Sequence, residues 1–303
     1  MDAPAAIETV GLSKTYGGRV RALVGLDLRV ERGEVFGYLG PNGAGKSTTI
    51  RLLLGLIHAT AGRASILGVD VHSDGVAARA VTGYLPGELR LHDRLTGAEQ
   101  LDSLARLRGG VDERLRDSLC ERFSVVLDRP IRQLSTGNRQ KLGLIQAFMH
   151  RPEVVVLDEP TAGLDPLLRG EMRGLLRETA DAGATVFLSS HSLDEVQHVA
   201  DRVGIIREGR LVDVDAVETL RERALRHVSV TFSTAVDPTP FERIDGVRVV
   251  GIDDSHVRLS APETAMDALV KEVARHPISD FVSQPADLEE IFLELYEEAD
   301  DGS

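Results

Sequence analysis

The chain has 303 residues, of which 42% are hydrophobic, and a formal net charge of −13. Its length allows one large or two ordinary domains, and an acidic balance without a basic stripe disfavours nucleic acid as the main partner. The chain has no apolar run of about 18 residues, so we expect no membrane span. Residues 1–4 lack the basic and apolar regions of a signal peptide, and a single cysteine, Cys120, is typical of a reducing cytoplasm.

Two antiparallel strands are predicted within residues 7–30, joined by a turn at residues 14–18. Residues 26–30 alternate apolar and charged side chains, which is the pattern of a strand buried on one face. Tyr16 lies in the predicted turn and offers a flat ring on which an adenine can stack. The alternative is a loop tyrosine whose ring is buried.

A glycine-rich segment at residues 40–48 follows the apolar run 35–39 and precedes a helical pattern. In that context, glycines let backbone amides approach phosphate groups, and the helix N-terminus adds unpaired donors. Lys46 is then expected to reach the β- and γ-phosphates of a nucleotide, and the Ser47 hydroxyl to ligate Mg²⁺. The alternative is a tight strand–helix turn that happens to be rich in glycine. The predicted nucleotide-binding residues of this loop are Gly40, Pro41, Asn42, Gly43, Ala44, Gly45, Lys46, Ser47 and Thr48.

A small helical insert is predicted at about residues 88–133. Thr96 and Glu99 have the spacing of a capping box and begin its first helix, and a second helix is predicted at about residues 111–126. The strands predicted before the insert span residues 62–68 and 81–85.

Two carboxylates end a strand that is apolar throughout. Residues 154–158 have the pattern of a strand buried on both faces of a parallel sheet, and Asp158 and Glu159 lie at its carboxyl end. Ligands bind at that end of parallel sheets, and buried carboxylates are costly unless a cation compensates them. His191 follows the end of another predicted buried strand, residues 184–189. These three side chains are therefore candidates for the chemistry of the site, although a solvated strand end and a loop histidine are the simpler alternatives.

Three more helices are predicted around these strands. The first begins after residues 135–138, Ser-Thr-Gly-Asn, and carries Leu142, Ile145 and Met149 on one face. The second follows a loop at residues 161–166 and ends at about residue 181. The third begins at Ser192, which forms a second predicted capping box with Glu195. A hairpin of residues 203–206 and 211–214 closes this part of the chain.

A change of composition after about residue 218 predicts a linker at residues 219–226 and a small α+β domain at residues 227–303. Its strands are predicted at 228–232, 247–252, 257–259 and 278–282. Leu288 and Leu295 belong to the apolar face of a final helix, for which core packing is favoured over a partner site.

Taken in chain order, these motifs resemble an ATP-binding subunit of an ABC transporter over residues 5–215. The resemblance rests on Tyr16 as the A-loop aromatic, the Walker A loop at 40–48, the signature at 135–138, Walker B at 154–159, the D-loop at 163–165 and the switch histidine His191. The chain length, the S-T-G-N signature and the segment 287–292 are similar to the ATPases of ABC-2 type exporters. The resemblance implies an α/β fold in which residues 1–218 form a P-loop ABC ATPase domain. That domain would hold a mixed sheet core, an N-terminal antiparallel β subdomain and the helical insert.

The resemblance also implies roles for individual residues. Glu159 would be the general base and His191 would hold the γ-phosphate and water, while Lys46 neutralises phosphate charge. Asp158 and Ser47 would hold Mg²⁺, and ATP would lie between one subunit's Walker A loop and the signature of a second ATPase subunit. The resemblance assigns contacts across that dimer to Ser135, Thr136, Gly137 and Asp165.

Two residues depart from the family pattern. Thr136 stands where the signature usually has glycine, and we expect this change to be tolerated because Ser135 and the helix N-terminus remain. Gly87 stands where the family has the Q-loop glutamine, followed by Glu88. Glu88 is therefore a further candidate for contact with Mg²⁺ or water, and the alternative is that Gly87 only supplies hinge freedom.

The predicted partners are a separate ABC-2 type transmembrane permease and a second ATPase subunit, either a copy of this chain or a paralogue, and no nucleic acid. The chain would then be a peripheral protein at the cytoplasmic face of the cell membrane. The alternatives are a soluble ABC ATPase acting on ribosomes or DNA, and a P-loop kinase acting on a small molecule.

Overall fold

A computed structural model describes residues 4–161, 163–223 and 225–284. The chain divides into two compact units, Met1–Asp215 and Ala216–Ser303. No helix within the described ranges is both long and apolar enough to cross a membrane.

A six-stranded sheet forms the centre of the first unit. Its strand order is β10-β9-β3-β8-β7-β6, and the pairs from β9 through to β6 are parallel. Strands β3, β7 and β8 are buried at every position, as expected for a parallel sheet covered on both faces. The strands are β3 (Val35–Leu39), β6 (Thr82–Leu85), β7 (Val154–Asp158), β8 (Thr185–Ser190), β9 (Arg202–Arg207) and β10 (Arg210–Ala216).

An antiparallel sheet of four strands, in the order β2-β1-β4-β5, forms the second layer. Along Leu26–Val30 apolar residues are buried and charged residues are exposed, so the predicted alternation is confirmed. This sheet shares one hydrophobic core with the central sheet, in which Leu26 packs in the same cluster as Phe36 and Phe187. Its strands are β1 (Ile7–Tyr16), β2 (Val20–Val30), β4 (Ala61–Ile66) and β5 (Val69–Asp70).

Helices connect and cover the sheets of the first unit. The helix α1 follows the glycine-rich loop, α3 and α4 belong to the insert, and α5 begins at the signature segment. The helices are α1 (Lys46–Leu53), α2 (Gly75–Ala80), α3 (Gly97–Leu107), α4 (Glu113–Arg122), α5 (Thr136–Phe148), α6 (Pro166–Asp181) and α7 (Leu193–Gln197).

Three local predictions were wrong. The turn predicted at residues 14–18 begins only after Tyr16, because β1 stays paired with β2 up to the Tyr16–Val20 pair. The second insert helix is shorter than 111–126, because Asp112 caps its start and Ser124, with a φ of 46°, lies beyond its end. Ser192 makes no capping hydrogen bond through its side chain. The other half of the box is also absent, because the Ser192 amide donates to the Ser190 hydroxyl and the Glu195 carboxylate accepts from the hydroxyls of Thr161 and Ser190.

The second unit contains a four-stranded antiparallel sheet in the order β12-β13-β11-β14. Its core lies on one face of the sheet and includes Phe232, Phe241 and Leu269. The helix α8 (Val217–Arg223) and the start of β11 occupy the segment expected to be a linker. The final helix predicted around Leu288 and Leu295 lies outside the described residues. The elements are α8, β11 (Leu225–Phe232), α9 (Thr239–Glu242), β12 (Arg248–Asp253), β13 (His256–Pro262), α10 (Met266–Val273) and β14 (Ile278–Gln284).

The layers agree with the predicted fold class. The first unit combines a central, mostly parallel sheet with an antiparallel subdomain and a helical insert, and the second unit is α+β. The α/β fold with a mixed sheet core is therefore confirmed.

Candidate nucleotide-binding and catalytic site

The glycine-rich loop runs from the carboxyl end of β3 into the N-terminus of α1. Gly43 and Gly45 have φ values of 84° and 112°, which L-residues with side chains rarely adopt. A Cβ atom on Gly45 would lie 2.6 Å from the carbonyl oxygen of Ala22, so the neighbouring strand also excludes a side chain there. The first helical residue is Lys46, and the free amides of its first turn face the loop. This local fold is suited to hold an anion such as a nucleotide phosphate.

Lys46 places a buried positive charge inside this loop. Its side chain is only 6% exposed, and Nζ donates hydrogen bonds to the carbonyl oxygens of Gly40 and Pro41, at 2.5 and 3.3 Å. The same nitrogen lies 3.2 Å from Oε1 of Glu159. The loop therefore directs its cation towards the carboxylate at the end of β7.

Glu159 joins Lys46 to His191. One carboxylate oxygen, Oε1, faces Lys46, and the other, Oε2, lies 2.8 Å from Nδ1 of His191. The backbone of Glu159 has a φ of 50°, a strained conformation for a residue with a side chain. Hydrogen bonds from its amide to the carbonyl and hydroxyl oxygens of Ser189, both at 3.2 Å, hold this conformation. Strain of this kind concentrates at functional sites.

Asp158 precedes Glu159 and is 5% exposed. Its Oδ1 accepts a hydrogen bond of 2.6 Å from the Ser189 hydroxyl. The backbone of Gly87 packs against the same carboxylate, since a Cβ atom there would lie 3.4 Å from Oδ2. Burial, and then the negative charge of Asp158, raises the pKa of Tyr84 to about 12, so that phenol remains protonated.

These residues fit a nucleoside triphosphate bound together with a divalent cation. Oε1 of Glu159 is buried and accepts no hydrogen bond, although it lies within ion-pair distance of Lys46. Asp158 adds a second buried carboxylate beside it, and oxygen ligands of this type suit Mg²⁺. Ser47, the other predicted magnesium ligand, lies in the first turn of α1. Within the described residues, no group of three or more histidine, cysteine, aspartate or glutamate side chains is arranged to hold a metal ion, so Ser47 and the phosphates would have to complete the ligands that Asp158 offers.

Tyr16 ends strand β1 and is 37% exposed, with Nζ of Lys14 5.2 Å from its ring centre. Its ring is therefore accessible rather than buried, which is compatible with stacking on a base.

The signature segment begins helix α5. Ser135 is the N-cap, and its hydroxyl accepts a hydrogen bond of 3.2 Å from the Asn138 amide. Ser135 and Thr136 are exposed, and Gly137 lies close to the D-loop, since a Cβ atom there would be 3.4 Å from the carbonyl oxygen of Gly163. No described contact joins this helix terminus to the glycine-rich loop. It is thus a second, exposed helix N-terminus of a kind suited to bind an anion.

Asp165 and Glu88 are placed differently from the central carboxylates. Asp165 caps helix α6, because its Oδ1 accepts a hydrogen bond of 3.0 Å from the Leu168 amide. The side chain of Glu88 is 85% exposed and lies 3.8 Å from that of Arg90. No described contact joins Glu88 to Asp158, so the structure does not bring it beside the carboxylate predicted to hold Mg²⁺.

Glu195 makes different contacts from the predicted capping box with Ser192. Its carboxylate accepts hydrogen bonds from the hydroxyls of Thr161, two residues after Glu159, and Ser190, directly before His191. The spacing S-x-x-E predicts a helix cap. The only sequence signal for the observed contacts is that Glu195 lies four residues after His191.

Comparisons with known proteins agree with this geometry. The family model described as "ABC transporter" matches residues 23–162. Daunorubicin resistance ATP-binding protein DrrA3 of Streptomyces coeruleorubidus is 35% identical, over 97% of this chain and 96% of its own length. Bacitracin transport ATP-binding protein BcrA of Bacillus licheniformis is 31% identical, over 95% of this chain and 89% of its own length. A solved structure of an ATP-binding subunit of an ABC transporter is 29% identical and covers 72% of this chain and 92% of its own, with a TM-score of 0.67.

Proposed function

Because the chain belongs to the family of ABC transporter ATP-binding proteins, we propose that it is the ATPase subunit of an ABC-2 type exporter. ATP and water would be converted to ADP and phosphate, and the reaction would drive transport by a separate membrane subunit. Similarity to daunorubicin resistance and bacitracin transport proteins over nearly the whole chain supports this assignment. We assign catalysis to residues 1–218 and an accessory role to residues 227–303, with 219–226 as the linker.

The observation that carries the proposal is the position of the Glu159 carboxylate. It lies between Lys46 Nζ at 3.2 Å and His191 Nδ1 at 2.8 Å, at the carboxyl end of a buried strand. A carboxylate between a phosphate-binding lysine and a histidine is suited to act on a water molecule that attacks the γ-phosphate.

In the proposed mechanism the loop amides and Lys46 bind the phosphates and stabilise the charge that develops on them. Glu159 orients the attacking water and accepts its proton, and His191 holds that carboxylate through Nδ1 and contacts the γ-phosphate. Ser47 and Asp158 would hold Mg²⁺, which when bound would supply neutralisation of phosphate charge. The ring of Tyr16 would stack on the adenine.

A second copy of the chain would complete the site. The exposed N-terminus of α5, with Ser135, Thr136 and Gly137, offers free amides that can bind the γ-phosphate held by another copy. Asp165 and the D-loop would then lie at the contact between copies. ATP would hold the two copies together, and hydrolysis would release them.

A phosphate-release assay tests the proposed activity. We expect the purified chain to release phosphate from ATP and Mg²⁺ without an acceptor molecule, which a small-molecule kinase would not do. Glu159→Gln should lower turnover by about 10²- to 10⁴-fold, the usual contribution of a general base. Glu153→Gln, an exposed carboxylate just before the same strand, is the matched control and should retain wild-type turnover. Consumption of ATP only when an acceptor is added, with the phosphoryl group on the acceptor and none released as free phosphate, would contradict the proposal.

The proposed partner is tested by co-expression with a candidate six-span permease encoded beside this chain. We expect the chain to sediment with membranes only when the permease is present, as a peripheral protein at the cytoplasmic face. Sedimentation with ribosomes or DNA instead would favour the soluble ABC ATPase alternative.

A further inference from the structure

The carboxylate of Glu195 connects the two segments that carry Glu159 and His191. Its Oε2 accepts hydrogen bonds from Thr161 Oγ1, at 2.5 Å, and from Ser190 Oγ, at 3.0 Å. Thr161 is two residues after Glu159, and Ser190 directly precedes His191. One oxygen atom therefore fixes the distance between the backbones on either side of the catalytic pair.

The same carboxylate reaches the D-loop through its other oxygen. Oε1 lies 3.5 Å from Nη1 of Arg169, whose Nε donates a hydrogen bond of 3.1 Å to the carbonyl oxygen of Leu164. The amide of Leu164 in turn donates to the carbonyl oxygen of Thr161, at 3.1 Å. The D-loop, the end of β7 and the loop after β8 are thus joined at one side chain.

The hydroxyls of this cluster are buried, so the loss of a hydrogen-bond partner there is costly. Ser190 is fully buried, Thr161 is 7% exposed, and the Glu195 side chain is 17% exposed. A buried hydroxyl that loses its acceptor remains unsatisfied, which favours rearrangement of the loop that carries it. The Ser190 hydroxyl also accepts a hydrogen bond of 3.1 Å from the Ser192 amide, which fixes the backbone on both sides of His191.

We propose that Glu195 is a positioning residue for ATP hydrolysis, which holds the Glu159 carboxylate and the His191 imidazole at their contact distance of 2.8 Å. It acts through Thr161 and Ser190 and not on the reacting atoms. The inference rests on the proposed ATPase activity and adds a residue to its mechanism. Through Arg169, Glu195 also transmits the position of the D-loop to the catalytic pair.

Thr161→Val is the main test, because it removes the hydroxyl and keeps the shape of the side chain. We expect kcat to fall about 10- to 100-fold, since a small misplacement of a catalytic group has effects of this size. The Kd for ATP in the presence of Mg²⁺ should stay within about 2-fold, because the phosphate-binding loop is unchanged. Thr161→Ser restores the hydroxyl and should recover most of kcat.

Glu195→Ala should give the same loss of kcat, and its combination with Thr161→Val should lose little more, because both remove one interaction. In a Glu159→Gln background, neither substitution should lower the residual single-turnover rate further. Thr179→Val is the matched control: its hydroxyl donates only to the Leu175 carbonyl within α6, and turnover should be unchanged.

The outcomes separate this inference from the proposed function. If the wild-type chain releases no phosphate, the proposed function fails. If it does release phosphate and Thr161→Val keeps wild-type kcat, only the inference is overturned. A folded Thr161→Val variant whose kcat and ATP affinity fall together, without recovery in Thr161→Ser, would likewise overturn a positioning role.

Discussion

At the scale of single residues, the site depends on backbone conformations that few side chains adopt. Glu159 has a φ of 50° although it carries a side chain, and the Ser189 hydroxyl and carbonyl oxygens hold its amide in place. This conformation costs on the order of 1–3 kcal/mol. It directs the carboxylate to Lys46 on one side and His191 on the other, which an extended continuation of β7 would not do.

Substitution of two glycines near the site should change the free energy of unfolding by different amounts. Gly45→Ala should lower the free energy of unfolding of the N-terminal unit by about 2 kcal/mol or more, because φ is 112° and Cβ would lie 2.6 Å from the Ala22 carbonyl oxygen. Gly87→Ala is the matched control and should change it by less than about 0.5 kcal/mol, because its Cβ would make ordinary contacts at 3.4 Å with Asp158. Urea unfolding measures both, and equal stabilities for the two variants would contradict the geometry of the loop.

The stability of the first unit should depend on pH through His150. Burial, followed by the charge of Arg108, lowers the pKa of His150 to about 4, whereas the unfolded chain has a pKa near 6.5. Between these values the unfolded state binds more protons, so stability falls as pH falls from about 6.5 towards 4. We expect His150→Gln to remove about 1 kcal/mol of the difference in unfolding free energy between about pH 7.5 and pH 5.5. An identical pH dependence in wild type and variant, measured by urea unfolding, would refute this cause.

At the scale of elements, two segments with the same spacing behave differently. Thr96 and Glu99 form a full capping box at the start of α3, in which each side chain bonds the other's backbone amide. Ser192 and Glu195 have the same spacing, but the Glu195 carboxylate accepts hydrogen bonds from the hydroxyls of Thr161 and Ser190. The local pattern is identical, and the tertiary contacts decide which hydrogen bonds form.

Removal of these two hydroxyls therefore gives a matched pair of predictions. Thr96→Ala should lower the unfolding free energy by about 1 kcal/mol, the usual contribution of an N-cap side chain. Ser192→Ala should cost less than about 0.5 kcal/mol, because its hydroxyl makes no capping bond. Chemical unfolding of the two variants checks the difference, and a larger loss at Ser192 would contradict the described hydrogen bonds.

Arg122, at the end of α4 in the helical insert, forms ion pairs with two glutamates of helix α6. Arg122 donates to Glu171 Oε2 at 2.8 Å and to Glu178 Oε2 at 2.7 Å, and its side chain is 25% exposed. We expect Arg122→Ala to increase amide hydrogen exchange in α4 while exchange in β7 is unchanged, because the loss is local to the insert. Arg29→Ala is the control, since Arg29 pairs with Glu8 and Glu31 on an exposed surface of the first unit. Unchanged exchange in α4 would show that the arginine does not hold the insert.

Much of the fold could be predicted because local sequence patterns indicate its main strands and helices. The alternation at Leu26–Val30 and the continuous apolar pattern of β7 identified both sheets, and the glycine spacing identified the loop before α1. The short strand β5 and helix α2 were missed, since neither carries an apolar pattern of its own. The end of β1 depends on pairing with β2, which no local pattern reveals.

Prediction of the site was limited in the same way. The sequence placed Asp158, Glu159 and His191 at the carboxyl ends of strands, and the structure brings Glu159, Lys46 and His191 together. The cluster around Glu195 was not predicted, because it depends on three segments that meet only in the folded chain.

At the scale of the whole molecule, the first unit presents two helix N-termini suited to bind an anion, and no described contact joins them. The loop before α1 contains Lys46 and adjoins Glu159, whereas the exposed N-terminus of α5 begins at Ser135. In the proposed function, a single chain would bind a triphosphate from one side only. A second ATPase subunit would complete the site, binding when ATP is present and separating after hydrolysis.

Sedimentation velocity of the Glu159→Gln variant tests this central claim most directly, because ATP would persist in its site. We predict a monomer without nucleotide and with ADP, and a dimer with ATP and Mg²⁺. The dimer should be lost when Lys46→Ala or Ser135→Arg is added, since each removes one half of the shared site. A variant that binds ATP tightly and remains a monomer, or that dimerises equally well with Ser135→Arg, would contradict the account.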